Sequence, residues 1–300
     1  MNHMHSECRL CPQNCGVDRI SGQIGKCGET SNLRIARAAL HHWEEPCISG
    51  NCGSGTIFFT GCSLRCGFCQ NHLISHGKHG KEISVQRLSE IFFELENQGA
   101  HNINLVTPTH FIPQIKTALL LAKKAGLCIP IVYNTSGYEN VSGLKYLDGL
   151  IDIFLTDMKF FSPDISLRLA GTKNYFSFAQ TALQEMYRQT GNPLLDKSGI
   201  MQRGVIVRHL MLPGYLFDSR KILQFLCDHY TNRAYISLMN QYTPPREKQN
   251  HIPDRKLDPR HYESMVSYLQ DRGVDLAYIQ EDGTCDESFI PAFDYTGVEC

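Results

Sequence analysis

Thr56-Ile57-Phe58-Phe59-Thr60-Gly61-Cys62-Ser63-Leu64-Arg65-Cys66-Gly67-Phe68-Cys69-Gln70-Asn71 is a β-branched and aromatic run that breaks at a glycine into a loop carrying three cysteines. Residues 56–59 have the composition of a buried strand. Five runs of the same kind follow, at 103–106, 129–133, 151–155, 205–207 and 235–238. The stretches between them are amphipathic. After Ser84, an expected N-cap, Val85, Leu88, Ile91, Phe92 and Leu95 recur at helical spacing until Gly99. The same logic places helices over 111–124, 141–147, 177–188, 219–230 and 260–270. Strand and helix alternate, so the fold class is α/β with six parallel strands, either as an open doubly wound sheet or as a complete or partial barrel. In both, chemistry gathers at the C-terminal ends of the strands. The stretches 190–203 and 243–257 exceed ordinary loop length and are expected as lids or partner contacts.

The chain has 300 residues, 42% of them hydrophobic, and 29 Lys+Arg against 30 Asp+Glu. A chain of this length folds by core burial without needing a disulfide or metal merely to exist. Near-neutral charge without a basic run argues against nucleic acid as a partner. No apolar run reaches membrane-spanning length and the first residues lack signal-peptide character, so no membrane association and a soluble cytoplasmic protein are expected.

Cysteine is the unusual residue. Nine of 13 fall before residue 70, which in a reducing compartment points to thiolate ligation of a soft metal rather than to disulfides. Cys62, Cys66 and Cys69 are spaced C-x3-C-x2-C directly after the first strand. Three thiolates hold three irons of a cubane and leave the fourth open, whereas a structural zinc requires a closed tetrahedron for which only the distant His72 or His76 offers a fourth ligand. Cys8, Cys11, Cys15 and Cys27 form a second compact set of four thiolates, suited to one structural zinc or to an auxiliary iron-sulfur cluster, with Cys47 and Cys52 as substitutes for one of them. The flanking Gly16, Gly22, Gly25 and Gly28 suit chain wound tightly about a metal. Residues 1–55, with one apolar run at 33–40, are read as a cysteine-rich metal-binding segment that folds around a metal or packs on the main domain, and 56–300 as the main domain with a C-terminal extension. Cys128 and Cys227 are expected as small core residues; Cys285 and Cys300 lie in the polar tail.

The loop Cys62-x-x-x-Cys66-x-Phe68-Cys69 resembles the signature of radical S-adenosylmethionine (SAM) enzymes. Its surroundings, 59–71, resemble the branch related to pyruvate formate-lyase activating enzyme. Residues 8–19, 45–50, 102–110 and 186–189 resemble an uncharacterised subgroup of those activase homologues, and the likeness covers nearly the whole chain. It implies a partial (β/α)6 barrel holding a 4Fe-4S cluster whose open iron chelates S-adenosyl-L-methionine. One-electron reduction then cleaves the cofactor to methionine and a 5'-deoxyadenosyl radical that abstracts hydrogen.

The resemblance also assigns cofactor-binding positions. Phe68 would pack near the adenine. Where relatives carry a Gly-Gly-Glu stretch that meets the amino group, this chain reads Val106-Thr107-Pro108-Thr109-His110; the carboxylate is gone and Thr107 and Thr109 offer hydroxyls, unless Thr109 instead caps the following helix. Asn134 replaces an acid after the third strand. Asp157 and Lys159, two residues apart and so on one side of an extended chain, would meet the ribose and the methionine carboxylate. Arg208 directs a guanidinium into the barrel, where it suits carboxylate recognition.

Three functions remain open. The first is an activase that installs a glycyl radical on a partner enzyme, fed by an electron donor such as flavodoxin or ferredoxin. The second is a radical SAM enzyme acting on a small molecule or another protein. The third is a non-catalytic iron-sulfur or zinc protein, which would want every iron protein-ligated and would have no use for a cofactor-sized barrel.

Overall fold

The computed structural model describes residues 6–76, 79–245, 251–280 and 290–299. Cys285, Cys300 and part of the 243–257 stretch lie outside them. In chain order the strands are β1 (Arg34–His41), β2 (Ser54–Phe59), β3 (Lys81–Glu82), β4 (Ile103–Val106), β5 (Ile131–Thr135), β6 (Ile153–Asp157), β7 (Leu194–Leu195), β8 (Met201–Leu210), β9 (Tyr235–Met239) and β10 (Ala277–Ile279). The six expected strands are β2, β4, β5, β6, β8 and β9, neighbours in that order and all parallel. A seventh parallel strand, β10, continues past β9, and β1 and β3 add antiparallel strands on the far side of β2. Among the described residues the two edges do not pair with each other, so the sheet is not a closed barrel, and its parallel strands in chain order are consistent with a partial one.

The helices fall where amphipathic periodicity places them, at Val85–Asn97, Ile112–Lys124, Val141–Tyr146, Tyr175–Thr190, Leu216–Tyr230 and Pro259–Asp271. The Ser84 hydroxyl caps the first by accepting from the Arg87 amide at 3.0 Å. Helix Pro163–Ala170 was not expected; Pro163 opens it and Gly171, at φ 75°, ends it. The run 33–40 forms a strand by which the N-terminal segment packs on the main domain: β1 pairs with β2 from Ile35↔Phe59 to His41↔Ser54. Cys227 is buried as expected. Cys128 is exposed, because the apolar run that contains it enters β5 only at Ile131.

Side chains alternate along each strand. Ile57, Phe59, Ile103, Leu105, Ile131, Tyr133, Phe154, Val205, Val207, Ile236 and Leu238 belong to the core shared with the helices. Val132, Ile153, Leu155 and Ile206 face the other way and form a separate cluster with Cys47 and Ile48. Those two cysteine and isoleucine side chains come from helix α1 (Pro46–Ser49), in the crossing from β1 to β2. The crossing links the β1 end at His41 to the β2 start at Ser54, so α1 fills the barrel floor at the N-terminal ends of the strands. Ile48 is fully buried there, a burial that stabilises by about 2 kcal/mol.

Candidate functional site

The chain leaves β2 through Thr60 and Gly61. Gly61 sits at φ 78°, a conformation that favours glycine. A Cβ there would lie 2.6 Å from Glu29 Cγ and 2.7 Å from the Cys27 carbonyl oxygen. The cysteine loop that follows is held on one side by the N-terminal segment. The Cys62 amide donates to the Cys27 carbonyl (3.0 Å), the Gln13 carboxamide to the Ser63 carbonyl (2.8 Å) and Arg65 to the Lys26 carbonyl (2.9 Å), while the Thr60 hydroxyl donates to Glu29 (2.6 Å). On the other side the Arg65 and Gly67 amides donate to the Ala170 and Leu169 carbonyls at the end of helix Pro163–Ala170. Loop and N-terminal segment are therefore one packed unit.

Cys62, Cys66 and Cys69 are free, half-buried thiols. Burial pushes Cys62 up to about 12, with Cys69 adding and Lys159 and Arg65 opposing. Cys66 and Cys69 are likewise raised by burial, and Lys159 opposes in both. Three thiols that sense one another and one ammonium make a donor set in which thiolates become favoured once a cation arrives. Among the described residues no group of three or more His, Cys, Asp or Glu is placed to hold a single metal ion. Three thiols on one loop are the donor set that a 4Fe-4S cluster with one open iron would take.

Beside the thiols stand the other strand ends. The Asp157 carboxylate, at the end of β6, meets Lys159 Nζ at 2.5 Å and Arg208 Nε at 2.8 Å. Burial raises Asp157, but Arg208 and Lys159 outweigh it and hold the carboxyl below its usual value. Arg208 also donates through Nη2 to Asn134 Oδ1 (2.7 Å) and through Nη1 to Glu44 Oε2 (3.1 Å). Asn134, Asp157, Lys159 and Arg208 thus come together in one buried network. Phe68 packs edge-on to Phe160, at 6.2 Å between ring centres, and against Tyr242. Thr107 adopts φ 60° just past β4. Thr109 does not cap the helix; its hydroxyl donates to Glu139 at 2.5 Å, and its residue lies in the single turn before Ile112.

Two residue groups carry no periodicity signal and emerge only from the fold. Glu44, in the floor crossing, accepts from both the Asn104 and Asn134 carboxamides at 3.1 Å. Glu139 accepts from Thr109, Thr135 and Tyr133; burial pushes it up to about 7 against those hydrogen bonds.

The four N-terminal cysteines lie together. Cys8, Cys11 and Cys27 are buried, a Cβ on Gly25 would touch the Cys27 and Cys15 sulfurs at 3.2 and 3.6 Å, and the fully buried Arg19 reaches Cys8 Sγ at 3.9 Å. Cys47 is not among them, lying in the barrel floor, and Cys52 is exposed.

Residues 56–226 match the family model of the radical SAM superfamily. This chain belongs to the radical SAM superfamily. It is 30% identical over 289 residues, covering 92% of this chain and 78% of the other, to the uncharacterized protein MJ0674 of Methanocaldococcus jannaschii. Its fold is similar to that of SuiB from Streptococcus suis, with a TM-score of 0.50 at 13% identity over 77% of this chain and 49% of SuiB. The chain therefore spans about half of SuiB. It also aligns with HydG, a maturase of the [FeFe]-hydrogenase, at 15% identity and a TM-score of 0.49 over 72% of this chain and 48% of HydG. As a radical SAM protein it is an enzyme whose family implies a 4Fe-4S cluster and S-adenosylmethionine. No helix among the described residues is long and apolar enough to cross a membrane.

Proposed function

We propose that Cys62, Cys66 and Cys69 hold the radical SAM cluster and that Asp157, Lys159, Arg208, Asn134, Thr107 and Phe68 line the cofactor's place, with Thr109 acting behind them through Glu139. When bound, the cluster and cofactor supply a 5'-deoxyadenosyl radical by reductive cleavage of the sulfonium. The observation that carries this reading is the meeting of the three thiols with the Lys159–Asp157–Arg208 network at the strand ends. This chain's residues then have definable work. Lys159 brings positive charge toward the thiolates, Arg208 fixes the Asp157 carboxylate, and Phe68 with Phe160 and Tyr242 supplies an apolar wall that excludes water. Anaerobically reconstituted, reduced protein is expected to cleave S-adenosylmethionine to 5'-deoxyadenosine, and Cys66→Ala to abolish it. Cleavage that survives the substitution refutes the assignment.

The activity we favour is that of an activase for a glycyl radical enzyme, with a flavodoxin or ferredoxin as electron donor, in keeping with the likeness of residues 59–71 to that branch. Electron paramagnetic resonance of reaction mixtures holding candidate partner enzymes tests it, through a protein-centred glycyl doublet. Its absence, with cofactor cleavage intact, favours action on a small molecule or another protein.

Cys8, Cys11, Cys15 and Cys27 are proposed as a second metal site, zinc or an auxiliary cluster. Their support is the approach of Cys15 and Cys27 to Gly25 and of Cys8 to Arg19, although the described thiols are not placed as a closed site for a single ion. Cys27→Ser is expected to lower total metal while leaving the iron of the first cluster; unchanged metal content rules the site out.

A further inference from the structure

The barrel interior below the Asp157–Arg208 pair holds a group that none of the foregoing roles uses. Glu45 opens helix α1, its carbonyl accepting from the Ile48 amide at 2.8 Å, and its side chain enters the barrel. There it meets Ser237 of β9 and senses Arg208 and Glu44. Its Oε2 is buried and has no hydrogen-bond partner. The Asn104 carboxamide of β4 repeats the pattern. Its nitrogen is committed to Glu44 Oε1, which fixes the orientation of the amide, and its Oδ1 is buried without a partner. A buried acceptor left unpaired costs about 1–3 kcal/mol, more when charged, so the Glu45 oxygen points to a donor that arrives from outside.

Charge agrees with this. Glu44, Glu45 and Asp157 face two cations, Lys159 and Arg208; burial raises Glu45, with Arg208 opposing, so a cation arriving at its open oxygen would favour the carboxylate. Glu44 is already satisfied by Arg208, Asn104 and Asn134; Asp157 is satisfied by Lys159 and Arg208. Only Glu45 lacks a cation of its own. Access is graded. The side chains of Glu44, Asp157, Arg208 and Lys159 are 10%, 13%, 17% and 21% exposed, rising toward Lys159, and Glu45 is buried. Cys66 and Cys69 sense Asp157 and Lys159, and Cys62 senses Lys159, while Glu45 meets Ser237.

We propose that Glu45 is a recognition site for a primary ammonium group carried by the substrate on a chain entering from the barrel mouth. The proposal rests on the radical SAM reading for the word substrate, but the site itself is tested by binding. An ammonium brings three donors and a charge; it would pair Glu45 Oε2 and hold the carboxylate ionised. A neutral hydroxyl brings one donor and no charge, and an anion would be repelled.

The probes are n-pentylamine and its neutral counterpart n-pentanol, titrated calorimetrically into reconstituted holoenzyme with and without saturating S-adenosylmethionine. The amine is expected to bind about tenfold tighter or more, the worth of one charge-assisted hydrogen bond, whether or not the cofactor is present. Glu45→Gln should shrink the preference to about twofold or less. Equal affinity of the wild type for amine and alcohol overturns the proposal and needs no variant. Displacement of the amine by S-adenosylmethionine also overturns it, by assigning the site to the cofactor's own amino group. Full preference in a folded Glu45→Gln variant overturns it as well. Cofactor cleavage measured in parallel separates the two readings: an amine preference without cleavage supports the ammonium site and sinks only the radical reading, and cleavage without an amine preference does the reverse.

Discussion

Replacing Gly61 by alanine tests whether the N-terminal segment and the cysteine loop are one unit. Two costs add. Alanine at φ 78° pays about 1–2 kcal/mol for a left-handed backbone. Its Cβ would stand 2.6 Å from Glu29 Cγ and 2.7 Å from the Cys27 carbonyl, and relieving such overlap costs about 1–3 kcal/mol. The sum is roughly 2–5 kcal/mol, and relief must lengthen the bond from the Cys62 amide to Cys27. Gly99 supplies the control, since it has φ 88° with no atom within 4 Å of its would-be Cβ; Gly99→Ala should cost only the backbone part. Urea midpoints of the two variants isolate the steric part, and iron and sulfide analysis reads its consequence, with Gly61→Ala reconstituting less cluster than Gly99→Ala. Equal midpoints and equal cluster content in the two variants would refute the coupling.

Two further perturbations follow. Glu139, raised by burial to about 7 from about 4.5 when unfolded, binds a proton more tightly in the folded state. Its contribution is therefore greatest at low pH and is lost between about pH 4.5 and 7, some 3 kcal/mol in all. Glu139→Gln should raise the thermal midpoint at pH 8 relative to wild type and change it little at pH 5; an equal shift at both would be inconsistent with a protonated carboxyl. Arg208→Met strands the buried Asp157 and Glu44 carboxylates and is expected to cost about 3–5 kcal/mol. Arg208→Lys should recover little of it, because one ammonium cannot reproduce the three separate donations to Asp157, Glu44 and Asn134. Denaturation curves that superimpose on wild type would show the network to be energetically idle.

The barrel strands were legible because both of their faces are mostly apolar, so 56–59, 103–106 and 151–155 read as continuous runs bounded by polar segments. The cluster loop was legible because cysteine spacing is local. What escaped is what depends on distant partners. Strand β1 looked like a stray apolar run, since nothing nearby in the chain announces its pairing with β2 across the α1 crossing. Nothing in the sequence singles out Glu44, and Glu45 enters only within the family-like stretch 45–50. A signal did exist in the interior-facing residues: Asn104, Asn134, Asp157, Arg208 and Ser237 are polar positions inside otherwise apolar strands, and polar residues there require company. Only the fold says that two glutamates from upstream of the barrel provide it. Cys128 shows the converse, an apolar neighbourhood that ends two residues before the strand begins.

The floor crossing also dictates an order of assembly. Glu44 is bonded to Asn104, Asn134 and Arg208, which follow it by 60, 90 and 164 residues. During synthesis at about 5–20 residues per second, Arg208 emerges roughly 8–33 s after Glu44. Closing the longest of these loops costs only about 0.9 kcal/mol more than closing the shortest, so the delay is one of time rather than of energy. Until then the glutamates remain hydrated and α1 has no barrel to fill. The four thiols proposed as a second metal site, by contrast, are all made by residue 27, and on that proposal they can load metal while the barrel is still being made. Starving growing cells of metal should therefore damage the two cysteine groups, and limiting translation the polar centre of this protein.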